Sequence, residues 1–417
     1  MFAWLANAWR VPELRRRVLF TLGILAVYKL GSWLPAPGLA KNAVNNTGST
    51  SGVSSLLNLL SAGGFSRGAI FSVGIQAYVT ASIILQLLTT ALPALERLQK
   101  EGEAGQIRIN QYSRYLTVAL AAATSTGYSF LFKKENLLAS SSPGTVLLLI
   151  VSLTAGATLL MWLGEQITKR GVGNGISIII VASILSSAPS AISAWYGQTG
   201  TSGQLFMPIM ILAVVVAVVF VMEGQRRIPV QYARRQLGGR ESVSTSTYMP
   251  LSINMAGVIP VIFALAPLSI AQTIGGFKPA WQNWITVNFS FTSWKYLVAE
   301  VVLIFTFTFF YTSVVFNPVE QADNLRKSNG YIPGIRPGPP TAAYLDRVLT
   351  RLTFFGALFL AAVAIAPSIF ESQFHFPQQA TRFLGGTSVL IVVGVALMTM
   401  RQMESQMAMR HYEGFPR

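Results

Sequence analysis

Cysteine is absent from this sequence, and both histidine and charge are scarce. Without cysteine the chain cannot form a disulfide, a thiolate nucleophile or a cysteine-ligated metal centre. Only His375 and His411 could supply imidazole, and both fall in a predicted loop or tail, so we expect no metal site and no cofactor. Charged residues make up 11% of the chain, whereas a typical soluble domain has ~25%. So few charges cannot cover a surface in water, which indicates an integral membrane protein.

Long apolar runs are abundant. A helix needs ~20 apolar residues to cross the ~30 Å of hydrocarbon in a bilayer. Ten runs come close to that length. The first run follows three arginines, as the apolar part of a signal peptide does, but it is long and nine more runs follow it, so we interpret it as a helix that is not cleaved off. The runs predict an all-α polytopic membrane protein with ten transmembrane helices. They cover residues 18–35, 69–92, 112–132, 144–164, 174–196, 205–223, 250–272, 296–317, 348–370 and 385–403.

The basic residues predict how the chain is oriented. If the N-terminus lies in the cytoplasm, most of the 31 Lys and Arg residues fall in segments on that side. The positive-inside rule then places both termini in the cytoplasm. The formal net charge of +16 follows mainly from this bias, so it does not indicate a nucleic-acid-binding fold.

A glycine-rich stretch, YGQTGTSGQ at 196–204, divides the chain into two parts, 1–198 and 199–417. Each part holds five predicted helices, so the second part starts from the opposite side of the membrane. This arrangement is typical of inverted repeats with the functional site between them. We therefore expect two pseudo-symmetric halves around a central pore, although this interpretation depends on the helix count and not on similar residues.

Neither an enzyme nor an ion-coupled transporter is well supported by the residues. Lys29 and Glu300 lie near the ends of predicted spans, where we interpret them as snorkelling or interfacial groups. The GVGNG motif at 171–175 lacks the strand and the lysine of a phosphate-binding loop, so it is interpreted as a turn. A secondary transporter for a small solute is the alternative, and a charged residue at the membrane midplane would favour it.

Two predicted cytoplasmic loops, 223–249 and 318–347, are too elaborate to be simple connectors. In the first loop, RIPVQYA alternates like a strand and predicts a hairpin. In the second loop, prolines and glycines fix the backbone around Arg336. We interpret both loops as docking sites for an acidic partner or a phosphate backbone. The alternatives are arginines that serve topology alone and an exposed arginine in a turn. The candidate docking residues are Arg226, Arg227, Arg234, Arg235, Arg240 and Arg336.

One apolar helix is only half long enough to span. The segment 55–65 places leucines at helical spacing before a glycine pair, and it ends after about ten residues. Such a helix is tolerated in a membrane protein if it lines or fills a protein cavity. The residues concerned are Leu56, Leu57, Leu59, Leu60, Gly63 and Gly64.

Several motifs, in order along the chain, resemble the bacterial SecY family, the channel subunits of the Sec protein-conducting translocon. They are KEGEAGQIRINQYSRY, GNGISIII, QRRIPVQYARRQLGGR, INMAGVIPVIFA, GIRPGPPTAAYLDRVLTRLTFFGA and GGTSVLIVVGVAL. The resemblance extends over essentially the whole chain. It implies a channel, not an enzyme, in the plasma (inner) membrane. Such a channel translocates unfolded polypeptides and releases apolar segments laterally into the bilayer, driven by a docked ATPase or ribosome.

The resemblance also implies specific sites. The short helix would be a plug with Gly63-Gly64 as its hinge, although a simple re-entrant or interfacial helix is the alternative. The lateral gate would lie between spans two and seven, with Gln86, Thr90 and Asn254 as polar candidates, unless these residues only pack helices together. An apolar pore ring would be formed by Val79, Ile83, Ile180, Ile184, Val258, Ile262 and Ile391.

The partners that the resemblance implies are of three kinds. Two small membrane subunits, SecE and SecG, would accompany the chain. The SecA ATPase or a translating ribosome would dock on the basic loops. Signal sequences and unfolded preproteins would pass through the pore, and membrane lipid would receive the apolar segments.

Overall fold

The computed structural model describes residues 12–39, 61, 64–65, 67–134, 138–140, 142–198, 201–232, 247–275, 293–374 and 385–413. Helices dominate the described chain, and a small sheet of three strands interrupts them. The strands are β1 (Gln225–Tyr232), β2 (Thr247–Ser252) and β3 (Gly330–Tyr331). The helices are α1 (Pro12–Gly31), α2 (Gln76–Ala91), α3 (Pro93–Lys100), α4 (Glu103–Lys134), α5 (Pro143–Arg170), α6 (Gly175–Ser186), α7 (Ala188–Gln198), α8 (Thr201–Glu223), α9 (Ile259–Gly275), α10 (Trp294–Val315), α11 (Pro318–Lys327), α12 (Pro339–Phe374) and α13 (Gly386–Glu413).

Each of the ten apolar runs contains a helix, so we number ten segments along the chain. Segments one to five are α1, α2, α4, α5 and the pair α6–α7, and segments six to ten are α8, α9, α10, α12 and α13. By length and composition alone, five described helices could each cross a bilayer, and α2 with α3, bent by 98°, could make a sixth. The other segments are shorter or more charged, and neighbouring helices in the bundle cover part of their surface.

Both halves arrange their helices in the same neighbour order. In the first half, segments two, three, four and five pack in sequence, and segment one packs against segments four and five. In the second half, segments seven to ten pack in sequence, and segment six packs against segments nine and ten. Equivalent contacts in the two halves are what a repeat produces, so the pseudo-symmetry expected from the helix count has a structural basis.

The two halves meet along two seams. Segment seven contacts segments two and three along one seam, and segment ten contacts segment five along the other. The largest hydrophobic cluster of the molecule contains residues from both halves, including Val79 and Ile180 of the first and Val258 and Ile391 of the second. The core therefore lies between the halves, where a repeat architecture places its functional site.

Segments two and seven begin later in the chain than their apolar runs do. Gly74 and Gly257 precede them with φ values of 61° and 63°, in the left-handed region. A right-handed helix cannot continue through such a residue, so α2 and α9 start after these turns. Hydropathy carries no information about backbone dihedral angles. For this reason the helix starts predicted from these two runs, at 69 and 250, are wrong.

The two elaborate loops that are predicted to be cytoplasmic form a single sheet. Strand β1 pairs antiparallel with β2, with Gln225 opposite Ser252 at one end, and this confirms the hairpin predicted for the first loop. Strand β3, from the second loop, pairs with the other edge of β1, where Gln231 lies opposite Tyr331. The loops are therefore parts of one unit, which the sequence did not predict.

This unit, which we call the cytoplasmic unit after its predicted side of the membrane, has its own hydrophobic core. Ile228 of β1 and Leu251 of β2 pack with Ile332 from the second loop and with Leu345 and Leu349 at the start of α12. Ile228 and Leu251 are 2% and 0% exposed. Because this core joins the hairpin to α12, the unit is attached firmly to the membrane domain.

Candidate functional site

Four helices place aliphatic side chains around one small cavity between the halves. Its volume is about 30 Å³, and it is lined by Val79 on α2, Ile180 on α6, Ile262 on α9 and Ile391 on α13, with further residues of α2 and α9. These are four of the seven predicted ring residues, and each half supplies two of them. We call these four side chains the constriction.

A second and larger cavity, of about 200 Å³, lies on the other side of the constriction. Val79, Ile180 and Ile262 line both cavities. Along α2, the small cavity extends to Gln76 and the large one to Gln86, so the two cavities lie on opposite sides of Val79. Three aliphatic side chains thus lie between the two cavities.

Polar side chains line much of the large cavity, and we predicted only Gln86 among them as functional. Ser82, Asn174, Ser177 and Tyr311 also line it. Helical spacing could have indicated two of these residues. Ser82 comes three residues after Val79, and Ser177 comes three residues before Ile180, so each shares a helix face with a constriction residue.

The other three predicted ring residues line neither cavity. Ile83, Ile184 and Val258 are 4%, 1% and 0% exposed and belong to the same hydrophobic cluster as the constriction. Val258 packs so closely against Gly394 of α13 that a Cβ atom there would overlap its side chain. These residues lie behind the constriction in the same cluster, and their assignment to the pore ring stays a prediction.

The chemistry of the constriction is that of a barrier to water and ions. A buried water needs 2–4 polar partners, and the lining of the small cavity is apolar apart from Gln76. Apolar constrictions stay dry and block ions, and they form no hydrogen bonds that would retain a passing chain. The arrangement can therefore hold a seal without binding what moves through it.

The seam between α2 and α9 is where we predicted a lateral gate, and these helices contact each other. Gln86 lines the large cavity, and exposed Thr90 donates a hydrogen bond to the Gln86 carbonyl at 3.3 Å. The Asn254 amide instead donates to the Gly257 carbonyl at 2.8 Å and lies 3.5 Å from the Met222 sulfur. Among the described residues, no hydrogen bond joins Asn254 to Gln86 or Thr90. In this structure Asn254 braces the turn before α9, and its role as a polar residue of the lateral gate stays a prediction.

The chain segments before and after the predicted plug are hydrogen-bonded to each other. The Ala36 amide donates to the Gly68 carbonyl at 2.7 Å, and the Ile70 amide donates to the Leu34 carbonyl at 3.0 Å. These bonds tie together the two ends of the segment. The plug residues Leu56, Leu57, Leu59, Leu60 and Gly63 lie outside the described residues.

Gly64 is the described member of the predicted hinge. It is buried, its amide donates to the Ser61 carbonyl at 2.9 Å, and its carbonyl accepts from the Ala69 amide at 2.8 Å. The next residue, Phe65, packs on Tyr128 and Phe132 of α4, with ring centroids 5.1 and 5.5 Å away. In this structure Gly64 therefore has defined backbone bonds, and its role with Gly63 as the hinge of the plug stays a prediction.

Three of the six candidate docking arginines are described, and all three are exposed. Arg226 and Arg227 lie on β1, and Arg336 lies in the loop before α12. Among the described residues, no carboxylate pairs with any of these three arginines. Their guanidinium groups are therefore exposed on the surface of the cytoplasmic unit. Arg234, Arg235 and Arg240 lie outside the described residues.

Charged groups in the spans do not line the constriction. Glu300 on α10 is 4% exposed, so its interpretation as an interfacial group is wrong, because it faces the interior of the bundle. It lines neither of the two cavities. Lys29 donates a hydrogen bond to Ser186 and lies 5.9 Å from the ring centroid of Trp33, which agrees with its interpretation as an interfacial residue.

Comparison with known proteins identifies the family. A family model described as SecY matches residues 69–400 of this chain. The chain belongs to the SecY family. It is 44% identical to the protein translocase subunit SecY of Streptomyces scabiei, with 100% of each chain covered. It is 41% identical to the same subunit of Staphylococcus aureus, with 100% of this chain and 99% of the relative covered.

Solved structures show the same fold. A structure described as that of a protein conducting channel has a TM-score of 0.67 and 17% identity, with 99% of each chain covered. The Sec61 chain of a canine ribosome–channel complex from the endoplasmic reticulum has a TM-score of 0.64 and 17% identity, with 99% of each chain covered. At these identities the likeness shows the fold, and this chain is a multi-pass, all-α membrane protein of that fold.

Proposed function

We propose that this chain is a protein-conducting channel, with the constriction as its seal. The observation that carries the proposal is the meeting of four aliphatic side chains, two from each half, between two cavities. A channel for unfolded polypeptides needs a barrier that stops ions yet accepts any sequence, and an apolar ring meets both needs. The family of translocase subunits to which the chain belongs supports this reading. The chain acts as a conduit and carries out no chemistry of its own.

The large cavity would be the cytoplasmic entrance. With both termini in the cytoplasm of a plasma-membrane protein, α2 runs inward, so Gln86 lies on the cytoplasmic side of Val79. The polar lining supports this assignment, because an entrance must stay hydrated while the constriction stays dry. An unfolded chain would enter there and pass between the two halves, 1–198 and 199–417.

The lateral gate would open at the seam between α2 and α9. A hydrogen bond between membrane helices contributes only ~0.6 kcal/mol on average and ~2 kcal/mol at most. Even such a bond would be weak, and among the described residues none joins Gln86 or Thr90 to Asn254, so the apolar helix of a signal sequence could separate these helices. Opening at this seam, with the α6–α13 seam as the hinge, would release apolar segments into lipid.

Partners would supply the energy and hold the halves together. We propose that the SecA ATPase or a ribosome docks on the cytoplasmic unit through its exposed arginines, and that SecE and SecG complete the membrane complex. A structural neighbour described as part of a ribosome–channel complex supports the ribosome as a partner. The clustered guanidinium groups suit an acidic surface or a phosphate backbone.

The test is to replace Ile391 by Asn and to measure ion conductance in planar bilayers. An amide in the constriction makes wetting easier, and the loss of apolar contacts costs ~1–3 kcal/mol, enough to change the open fraction roughly tenfold or more. We expect a rise in conductance and passage of substrates with defective signal sequences. The control is Ile391→Leu, which keeps the apolar volume and should stay tight. An ion-tight Ile391→Asn variant would refute the proposal.

A further inference from the structure

Segments five and ten begin with similar sequences. Residues 175–181 read GISIIIV and residues 386–392 read GTSVLIV, so glycine, serine, isoleucine and valine recur at the same four positions. The shared isoleucines are Ile180 and Ile391, which both line the small cavity. Segments five and ten are equivalent in the neighbour order of the two halves. The repeat is therefore visible at residue level where the constriction is built.

The two glycines at these helix starts make the same close contact. A Cβ atom on Gly175 would overlap the carbonyl oxygen of Gly164 on α5, and one on Gly386 would overlap the carbonyl oxygen of Val363 on α12. The helices contacted, α5 and α12, are segments four and nine, which are also equivalent. Only glycine lets the backbones approach this closely. Each contact holds the start of its helix against the preceding segment.

The first helical hydrogen bonds keep the same register. The Ile178 amide donates to the Asn174 carbonyl at 3.0 Å, and the Val389 amide donates to the Gly385 carbonyl at 3.1 Å. In both helices the constriction residue follows two positions later, five residues after the close-contact glycine. Ile180 and Ile391 therefore have the same depth and rotation relative to their helix starts.

In segments two and seven a glycine also precedes the constriction residue by five positions, but here the glycine has a left-handed backbone conformation. Gly74 and Gly257 have φ values of 61° and 63°, and each precedes its constriction residue by five positions. The Val79 amide donates to the Ile75 carbonyl at 3.1 Å. The Ile262 amide donates to the Val258 carbonyl at 3.3 Å. Here the left-handed glycine turn sets where the helix begins, and the first bond fixes the constriction residue.

We infer that Gly74, Gly175, Gly257 and Gly386 are positioning residues, which bring the four constriction side chains to one level in the membrane. A helix rises ~1.5 Å per residue and turns ~100°, so a small displacement of one start moves its side chain out of the ring. An apolar seal is sensitive to such a displacement because dewetting depends on the pore radius. This inference rests on the proposed function of the constriction.

The main test replaces Gly386 by Ala in the full membrane complex. The added methyl group must push α13 away from Val363 of α12, so we expect bilayer conductance to rise roughly tenfold. The matched control is Gly23→Ala in α1, where an added Cβ meets no atom within 4 Å and conductance should stay at the parental level. Gly175→Ala should leak as Gly386→Ala does, because its contact is equivalent.

A second readout separates positioning from general damage. Because the chain has no cysteine, Ile180→Cys and Ile391→Cys together give a single reactive pair across the small cavity. A short bifunctional maleimide should join them in the parent background. Added Gly386→Ala should slow this cross-linking, whereas Gly23→Ala should not. Amounts of assembled complex, measured in detergent, should be equal in all variants.

If the Gly386→Ala variant does not accumulate, the Gly257→Ala variant tests the inference in its place. A Cβ on Gly257 would meet only the Met398 side chain, at 3.6 Å. The substitution therefore acts through the left-handed turn alone. Normal conductance together with parental cross-linking in the glycine variant would overturn the inference. The proposed function would still stand in that case, provided that Ile391→Asn leaks. An ion-tight Ile391→Asn variant would remove the proposed seal, and with it the basis of the inference.

Discussion

Arg336 shows how an exposed side chain can be held in a defined place. The preceding residue, Ile335, packs on the core of the cytoplasmic unit, and its amide donates to the Ile332 carbonyl at 3.0 Å. The Arg336 carbonyl accepts a hydrogen bond from the Thr341 hydroxyl at 2.8 Å. The backbone is therefore fixed on both sides while the guanidinium group stays in solvent. An arginine held in this way loses little conformational entropy when it binds a partner.

We predict that Arg336→Glu lowers SecA-driven translocation into vesicles by roughly tenfold or more, because a reversed charge repels an acidic contact. The membrane domain should be intact, since the Arg336 side chain contributes to no described core cluster. Lys327→Glu, an exposed charge reversal at the end of α11, is the control and should have a smaller effect. Translocation by Arg336→Glu at the parental rate would show that this arginine is not a docking residue.

At the scale of elements, the predicted plug belongs to a segment, 37–67, whose two ends form a fixed base. Backbone bonds between residues 34–36 and 68–70 close the base, and Phe65 anchors the return on α4. The apolar stretch SLLNLL at 55–60 lies within this segment and contains none of these anchor residues. Removing this stretch should therefore leave the base and the helix bundle unchanged.

We predict that deletion of residues 55–60 raises ion conductance without lowering the amount of assembled complex, because it removes apolar cover from the seal. Deletion of residues 45–50, NNTGST, also removes six residues from this segment but no leucine, so this variant should remain closed to ions. Planar-bilayer recordings would compare the two deletions. Equal conductance in both would mean that the leucines do not contribute to the seal.

At the scale of the whole molecule, two seams join the halves, and they are not equivalent. The α2–α9 seam borders the large cavity, whereas no described residue of α13 lines that cavity. At the α6–α13 seam, Gly173 lies close to Ile178 of α6 and Thr399 of α13. A pair of halves that opens along one seam must bend at the other. We therefore place the hinge at the α6–α13 seam.

We predict that cross-linking Gln86→Cys to Ile259→Cys blocks translocation, because it joins α2 to α9 across the large cavity that both residues line. Cross-linking Ile178→Cys to Thr399→Cys at the other seam should leave most of the activity. Translocation into vesicles, before and after reduction of a cleavable linker, would measure both effects. Equal inhibition by the two cross-links would contradict a gate on one side and a hinge on the other.

The sequence by itself determined the class of the protein and its general architecture. Scarce charge and long apolar runs establish a membrane protein, because the bilayer admits few other solutions for such a chain. Local alternation was enough to predict the β1–β2 hairpin, and the motifs were enough to identify the family. Four of the seven predicted ring residues, Val79, Ile180, Ile262 and Ile391, line the small cavity.

Only the tertiary structure decided where these parts meet. The true starts of α2 and α9 depend on the dihedral angles of Gly74 and Gly257, and hydropathy carries no information about them. The burial of Glu300 and the turn bonds of Asn254 depend on neighbours that are distant in the sequence or on backbone geometry. The pairing of β3 with β1 joins loops about a hundred residues apart, and such non-local pairing leaves no periodic signal in the sequence. Local patterns specify elements, whereas close packing between elements specifies the pore.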